Sequence, residues 1–255
     1  MKRIPQRRSL KNGDPRAIAR LLSLLYDQHP NGRAALDRLG HSGSRAVTIG
    51  ITGYPGAGKS TLIDRLTSAY RRQGKKVGVL AVDPSSLGSG GAILGDRIHM
   101  QGHACDPGVF IRSVATRGHL GGTAASTGEA IRVLEAGGYD VILIETVGVG
   151  QNEREIRRLA DTVVVVLAPG LGDEVQALKA GLLEIADVVV LNKSDREGAD
   201  TAWHELREWY PAVMRTVAVK GEGILELLEA LPRAEPRWLW RKTASNDVPD
   251  AHADS

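Results

Sequence analysis

The sequence predicts an α/β fold of three layers, with helices on both faces of a mostly parallel central sheet and a helical extension at the N-terminus. Three observations carry this. From Ala46 onward, short β-branched runs alternate with amphipathic stretches at helical spacing, the pattern of successive βαβ units. Several of the runs are apolar on both faces, as strands buried beneath two helical layers must be. Thirty glycines stand against one phenylalanine, a bias toward tight turns and phosphate loops. With 42% hydrophobic and 25% charged residues, the 255-residue chain has an ordinary globular composition, which excludes a disordered chain, a collagen or a coiled-coil rod.

Residues 1–45 read as a basic helical extension. Lys2, Arg3, Arg7, Arg8, Lys11, Arg16 and Arg20 face a single acid, Asp14, within the first 20 positions. With no aromatic residue among them and no nucleic-acid module, this arm is expected to be solvated and partly frayed rather than a nucleic-acid contact. Ile18, Leu21, Leu22 and Leu25 have helical spacing, and Pro30-Asn31-Gly32 is expected to separate two short helices over 14–39.

Residues 46–232 form the predicted catalytic domain. Strands are expected at 47–52, 76–82, 109–113, 141–145, 162–168, 188–192 and 214–219. Helices are expected at 59–73, 123–136, 153–159, 173–185, 199–210 and 224–231. Residues 233–255 form a short tail whose polar end is expected to be disordered. The apolar runs are far shorter than the roughly 20 residues that span a bilayer, and no apolar signal core opens the chain. A single cysteine, Cys105, fits a reducing compartment, so a cytoplasmic protein that engages no membrane is expected.

Four motifs carry chemistry. Gly53-Tyr54-Pro55-Gly56-Ala57-Gly58-Lys59-Ser60 has P-loop spacing between a predicted strand and a predicted helix. Glycines there let backbone N–H groups turn toward phosphate at the positive end of a helix dipole; Thr61 continues the first helical turn. Lys59 is expected to reach the β- and γ-phosphates, and Ser60 to place its hydroxyl on Mg²⁺. Asn192-Lys193-Ser194-Asp195 is an N-K-x-D string at a strand's carboxyl end, where ligands of open α/β sheets bind. The Asp195 carboxylate can accept from the N1–H and amino group of guanine, which adenine does not offer. In Glu145-Thr146-Val147-Gly148 an apolar strand ends in an acid suited to Mg²⁺, followed by a glycine whose N–H can sense the γ-phosphate. Ras-like enzymes carry Gln directly after that glycine; here the nearest is Gln151, so the attacking water must be positioned differently or with a partner's help. Finally, Asp83-Pro84-Ser85-Ser86 closes the second long strand.

The strings VDPSS, GGAILGDR, VFIRSVATRGHLGG, ILIETVGVGQNE, APGLGDEVQALKAG and LNKSD, in this order, resemble the MeaB/ArgK group of P-loop GTPases of the SIMIBI class, over about residues 46–231. The resemblance implies a P-loop NTPase fold, hydrolysis of GTP to GDP and phosphate, and a metallochaperone role toward an adenosylcobalamin-dependent acyl-CoA mutase, with the cofactor held by the client mutase. It implies that Asp83, Asp96 and Glu145 organise Mg²⁺ and the attacking water, that Lys59, Asp96 and Glu145 carry catalysis, and that Asn192, Lys193 and Asp195 hold guanine. It places a first switch at 87–97, with Leu87 and Gly91, a second at 145–155, and a partner-signalling loop at 169–181 with Gly170, Asp173 and Glu174. Members usually exceed 300 residues and dimerise through a C-terminal helical arm; Arg237-Trp238-Leu239-Trp240 resembles its remnant, and a homodimer is expected. The second base-contacting loop, near 219–223, lacks a Ser-Ala pair of the Ras kind.

The rival readings are a nickel-delivery GTPase of the hydrogenase or urease type, an ATP-dependent kinase and a protein without turnover. His99 and His103, spaced i, i+4 near Cys105, with His119 further on, could ligate metal, but Gly102 and Asp106-Pro107-Gly108 favour a polar segment instead.

Overall fold

The computed structural model describes residues 4–40, 45–82, 101–103, 105–114, 122–146, 152–170, 182–210 and 212–232. Seven strands, β1 (Val47–Thr52), β2 (Val77–Val82), β3 (Val109–Val114), β4 (Val141–Thr146), β5 (Thr162–Leu167), β6 (Val188–Leu191) and β7 (Val213–Arg215), form one sheet in the order β3-β2-β4-β1-β5-β6-β7. Every pairing is parallel. The first strand in sequence thus lies between β4 and β5, with β2, β3 and β4 on one side of it and β5, β6 and β7 on the other, so that connections leave the centre of the sheet in opposite directions. Such a switch point opens a crevice at the carboxyl edge.

The alternation of side chains along each strand builds the layers. Val141 and Leu143 of β4, with Val164 and Val166 of β5, face α4 (Lys59–Arg72). Ile142 and Ile144, with Val163 and Val165, face the opposite core beneath α5 (Gly122–Ala136) and α6 (Asn152–Leu159). Among the described residues, helices α7 (Ala199–Trp209) and α8 (Ile224–Ala230) follow β6 and β7. Gly50 of β1 makes room for α6: a Cβ there would lie 2.6 Å from Cδ1 of Ile156.

The amino edge of the sheet is pinned by three aspartates, each directly preceding a strand. Asp140 accepts from the Lys76 amide at 2.7 Å, Asp161 from the Thr48 amide at 2.9 Å, and Asp187 from the Val163 amide at 2.8 Å. In each case the carboxylate takes up the entering amide of the neighbouring strand, which would otherwise face the sheet's end without a ladder partner.

The N-terminal region contains α1 (Arg7–Lys11), α2 (Pro15–Tyr26) and α3 (Pro30–Leu39), all packed on α5. Ile18, Leu21, Leu22 and Leu25 are buried as their spacing predicts. The basic arm includes a helix over Arg7–Lys11, where Leu10 is buried in an apolar bed while Arg7, Arg8 and Lys11 stay exposed to solvent. One expectation requires correction: Pro30-Asn31-Gly32 opens α3 rather than interrupting the helices. The break falls at Asp27-Gln28-His29, with Gln28 left-handed at φ 51°, and Pro30 occupies the first turn, where its missing N–H costs nothing. Gly32 then seats α3 on α2, since a Cβ would meet the Leu24 backbone at 2.8 Å.

The other strands and helices lie within a few residues of their predicted ends. The expected strand 214–219 contracts to Val213–Arg215, followed by a tight turn closed by the bridge between Val217 and Glu222. The expected helix 173–185 falls mostly outside the described residues; its end, Leu183–Ile185, is a 3₁₀ turn.

Candidate nucleotide site

β1 delivers the chain to the carboxyl edge, where Gly53 has φ 138° and its missing Cβ leaves space that would otherwise overlap the Val166 carbonyl. The loop re-enters helical geometry at Gly58, left-handed at φ 94°, whose own missing Cβ is where the Asn192 amide packs. No side chain caps α4 at this end. Its first-turn amides carry the positive end of the helix dipole, which suits phosphate oxygens, while the Ala57 amide closes the loop onto the Tyr54 carbonyl at 3.2 Å. Pro55 and Gly56 are exposed on the rim, and Thr61 continues the turn behind Ser60.

Lys59 is buried, and its ammonium donates to the carbonyls of Gly53 at 2.8 Å and Tyr54 at 3.0 Å. Ser60 Oγ donates to Glu145 Oε1 at 2.8 Å. Glu145 is also buried, near the end of β4 and in register with Ile51 of β1. A hydroxyl and a carboxylate brought together beside the phosphate cradle are hard oxygen donors of the kind Mg²⁺ prefers, so the residues present fit that ion. Asp83, Asp96, Gly148, Leu87, Gly91, Gln151, Asp173 and Glu174 lie outside the described residues. Gly170 sits in the turn after β5 at φ 87°.

The second cluster forms where β6 and β7 end. Asn192 is buried; its Oδ1 accepts from Thr216 Oγ1 at 3.1 Å and the Ala218 amide at 3.0 Å, while its Nδ2 donates to the Ala57 carbonyl at 2.9 Å. Lys193, left-handed at φ 58°, donates to the Gly56 carbonyl at 2.6 Å. Asp195 lies at the surface beside Lys220 Nζ, 3.0 Å away. The hydrogen bond from Lys220 holds the Asp195 carboxyl below its usual range. The structure therefore brings both sequence motifs to one crevice and ties them directly through Asn192 and Lys193.

Four participants were not singled out by sequence reasoning. Thr216 and Ala218 order the second loop against Asn192, Lys220 faces Asp195, and Arg65 of α4 reaches the same loop. Ala218 acts through its backbone amide, which leaves no side-chain signature; the only hint is a Thr-Val-Ala run leaving a strand before the Gly221-Glu222-Gly223 turn.

The histidine region behaves as a tether. His103 Nε2 lies 3.3 Å from Asp64 Oδ1 and 3.3 Å from Ser68 Oγ, both on α4. Cys105 is exposed, and His99 and His119 lie outside the described residues. Among the described residues, no group of three or more His, Cys, Asp or Glu could hold a metal ion, and no helix is long and apolar enough to cross a membrane.

Comparison with known proteins places this architecture. A Pyrococcus horikoshii protein named as a GTPase is 51% identical over 235 residues, covering 87% of this chain and 74% of its own. GTPase ArgK of Escherichia coli is 39% identical, covering 88% and 73%. The mouse methylmalonic aciduria type A homolog, mitochondrial, is 45% identical over 197 residues, covering 72% of this chain and 48% of its own. Among solved structures, a LAO/AO transport system kinase superposes with a TM-score of 0.70 at 30% identity, covering 94% and 74%. The hydrogenase maturation factor HypB of Archaeoglobus fulgidus, at a TM-score of 0.55 and 21% identity, covering 77% of this chain and 96% of its own, shares the fold. The family model for methylmalonyl Co-A mutase-associated GTPase MeaB matches residues 18–239, and with a parallel sheet, a P-loop and an N-K-x-D string converging on one crevice, the chain belongs to the MeaB family of P-loop GTPases.

Proposed function

We propose that this GTPase gates the delivery of adenosylcobalamin to an acyl-CoA mutase, methylmalonyl-CoA mutase or a relative acting on isobutyryl- or 2-hydroxyisobutyryl-CoA, and protects or reactivates that enzyme as a homodimer. The observation that carries the reading is the family match across 18–239, whose description names association with methylmalonyl-CoA mutase. The relationship to the mouse methylmalonic aciduria type A homolog supports it.

At the site, the loop amides and Lys59 hold the phosphates, Lys59 exchanging its carbonyl partners for phosphate oxygens. Ser60 and Glu145, with Asp83 and Asp96, would hold Mg²⁺, which would supply neutralisation of charge on the phosphates. The Gly148 N–H would sense the γ-phosphate and so link hydrolysis to the second switch. Asp195 accepts from guanine N1–H and its amino group, with Asn192 and Lys193 fixing the loop that presents it. Catalysis on this reading is positioning and charge neutralisation, with turnover set by how the switches place the attacking water.

The test is GTP hydrolysis by the full chain with and without each purified acyl-CoA mutase, alongside co-elution monitored by light scattering. Slow intrinsic turnover that rises on complex formation with one mutase is the expected result. Turnover indifferent to every mutase, with no co-elution, would overturn the chaperone role and leave the GTPase intact.

A further inference from the structure

We infer that Arg65 is a positioning residue for base recognition: from the P-loop helix it holds the second base-contacting loop at the height guanine requires. The inference rests on the guanine-site reading above. Arg65 Nε donates to the Ala218 carbonyl at 3.0 Å, and its Nη2 to the Val219 carbonyl at 2.8 Å. A guanidinium presents its donors as a rigid fork, so gripping two successive carbonyls fixes the orientation of the peptide between them as well as its position.

The grip matters because of what lies on the other side of that backbone. The Ala218 amide points to Asn192 Oδ1 at 3.0 Å, while Asn192 Nδ2 holds the Ala57 carbonyl of the P-loop at 2.9 Å. Two residues beyond Ala218, Lys220 pairs with Asp195 at 3.0 Å. A closed ring of bonds therefore runs from the P-loop through α4 and Arg65 to residues 218–219, and returns through Asn192 to Ala57. Each member is short-range, yet the ring links the phosphate cradle to the base end, so the separation of the two is set by bonds rather than by loop length. Val217 and Ala218 are buried while Val219 is exposed, and the backbone bonds of the turn, Val217 to Glu222 and Lys220 and Gly221 to Val217, close the loop only on itself; Arg65 adds the hydrogen bonds that tie it to α4.

The experiment compares affinities for Mg·GDP, Mg·IDP and Mg·pyrophosphate in the full-length chain carrying Arg65→Ala or Arg65→Lys. IDP lacks the guanine amino group, and pyrophosphate reads the P-loop alone. With two charge-assisted bonds removed from a partly buried position, Arg65→Ala should weaken GDP binding by roughly tenfold and narrow the GDP-over-IDP ratio, while pyrophosphate affinity holds within about twofold. Arg65→Lys, which keeps the charge and loses the fork, should show a smaller loss in the same direction, and it provides the reading should the alanine variant fail to fold. Equal losses for GDP and pyrophosphate, or an unchanged GDP-over-IDP ratio, would overturn the role. Asp195→Asn in parallel separates the two layers of argument: if it alters the GDP-over-IDP ratio and the Arg65 variants do not, the base site stands and the positioning role falls. If neither alters it, the guanine-site reading falls as well.

Discussion

Lys59 and Asp195 mark the two ends of the crevice, and each has a distinct failure. Lys59→Ala removes a buried cation from the P-loop, and should lower GTP turnover by about a hundredfold or more, read by phosphate release at saturating nucleotide. Asp195→Asn exchanges an acceptor pair for one acceptor and one donor, so preference should move from GTP toward XTP by roughly tenfold or more, read by competition binding. Wild-type turnover in the first variant, or unaltered selectivity in the second, would refute the assigned roles. Both residues were legible in the sequence because the chemistry demands particular side chains at fixed spacing. Ala218 and Arg65 were not, since a backbone amide or carbonyl can be offered by any residue and only the folded chain shows which one arrives; nor was Thr216, whose hydroxyl meets Asn192 from 24 residues away.

At the scale of elements, the strands were readable from their β-branched runs, while boundaries moved where a turn competed, as after Arg215, or where proline began a helix instead of ending one, as at Pro30. The clasp between α4 and the turn before β3 could not be anticipated. Arg71 donates to both oxygens of Asp106 at 2.9 Å, and the Gly108 amide adds a third bond. The Arg71 hydrogen bond, followed by that of Gly108, holds the Asp106 carboxyl below its ordinary value of 3.8. The native state therefore binds this proton less readily than the unfolded chain, and the stabilisation is complete above that ordinary value and fades as pH falls through the lower native one. Asp106→Asn should lower Tm by a steady increment from roughly pH 7 to pH 5, with the two melting curves converging in stronger acid. A gap unchanged in strong acid would assign the clasp to neutral hydrogen bonding. Gly50→Ala tests the neighbouring layer: with Ile156 Cδ1 2.6 Å from the new methyl, α6 must lift or repack, at a cost of about 1–3 kcal/mol in denaturant unfolding.

Across the whole molecule, the N-terminal helices share their buried cluster with the sheet. Ile18, Leu21 and Leu22 lie in the same apolar core as Ile142, Val163 and Val165, and Arg112 of β3 donates to Ser23 of α2 at 2.9 Å. Leu22→Ala should therefore cost about 2–5 kcal/mol and shift the unfolding of the entire chain as a single transition, followed by tryptophan fluorescence and circular dichroism together. Two separated transitions would show that the extension unfolds on its own. The three-layer class was evident from periodicity alone, whereas the docking of the extension on α5 was not, because an amphipathic stripe declares that it needs a partner without naming one. Asp140, Asp161 and Asp187 give this body a polarity. Strand register is secured at the end of the sheet remote from the crevice, by side chains that take no part in holding nucleotide. The loops at the opposite end are thereby released from the task of keeping the strands aligned, and their residues can answer to the chemistry of the crevice without renegotiating the fold beneath them.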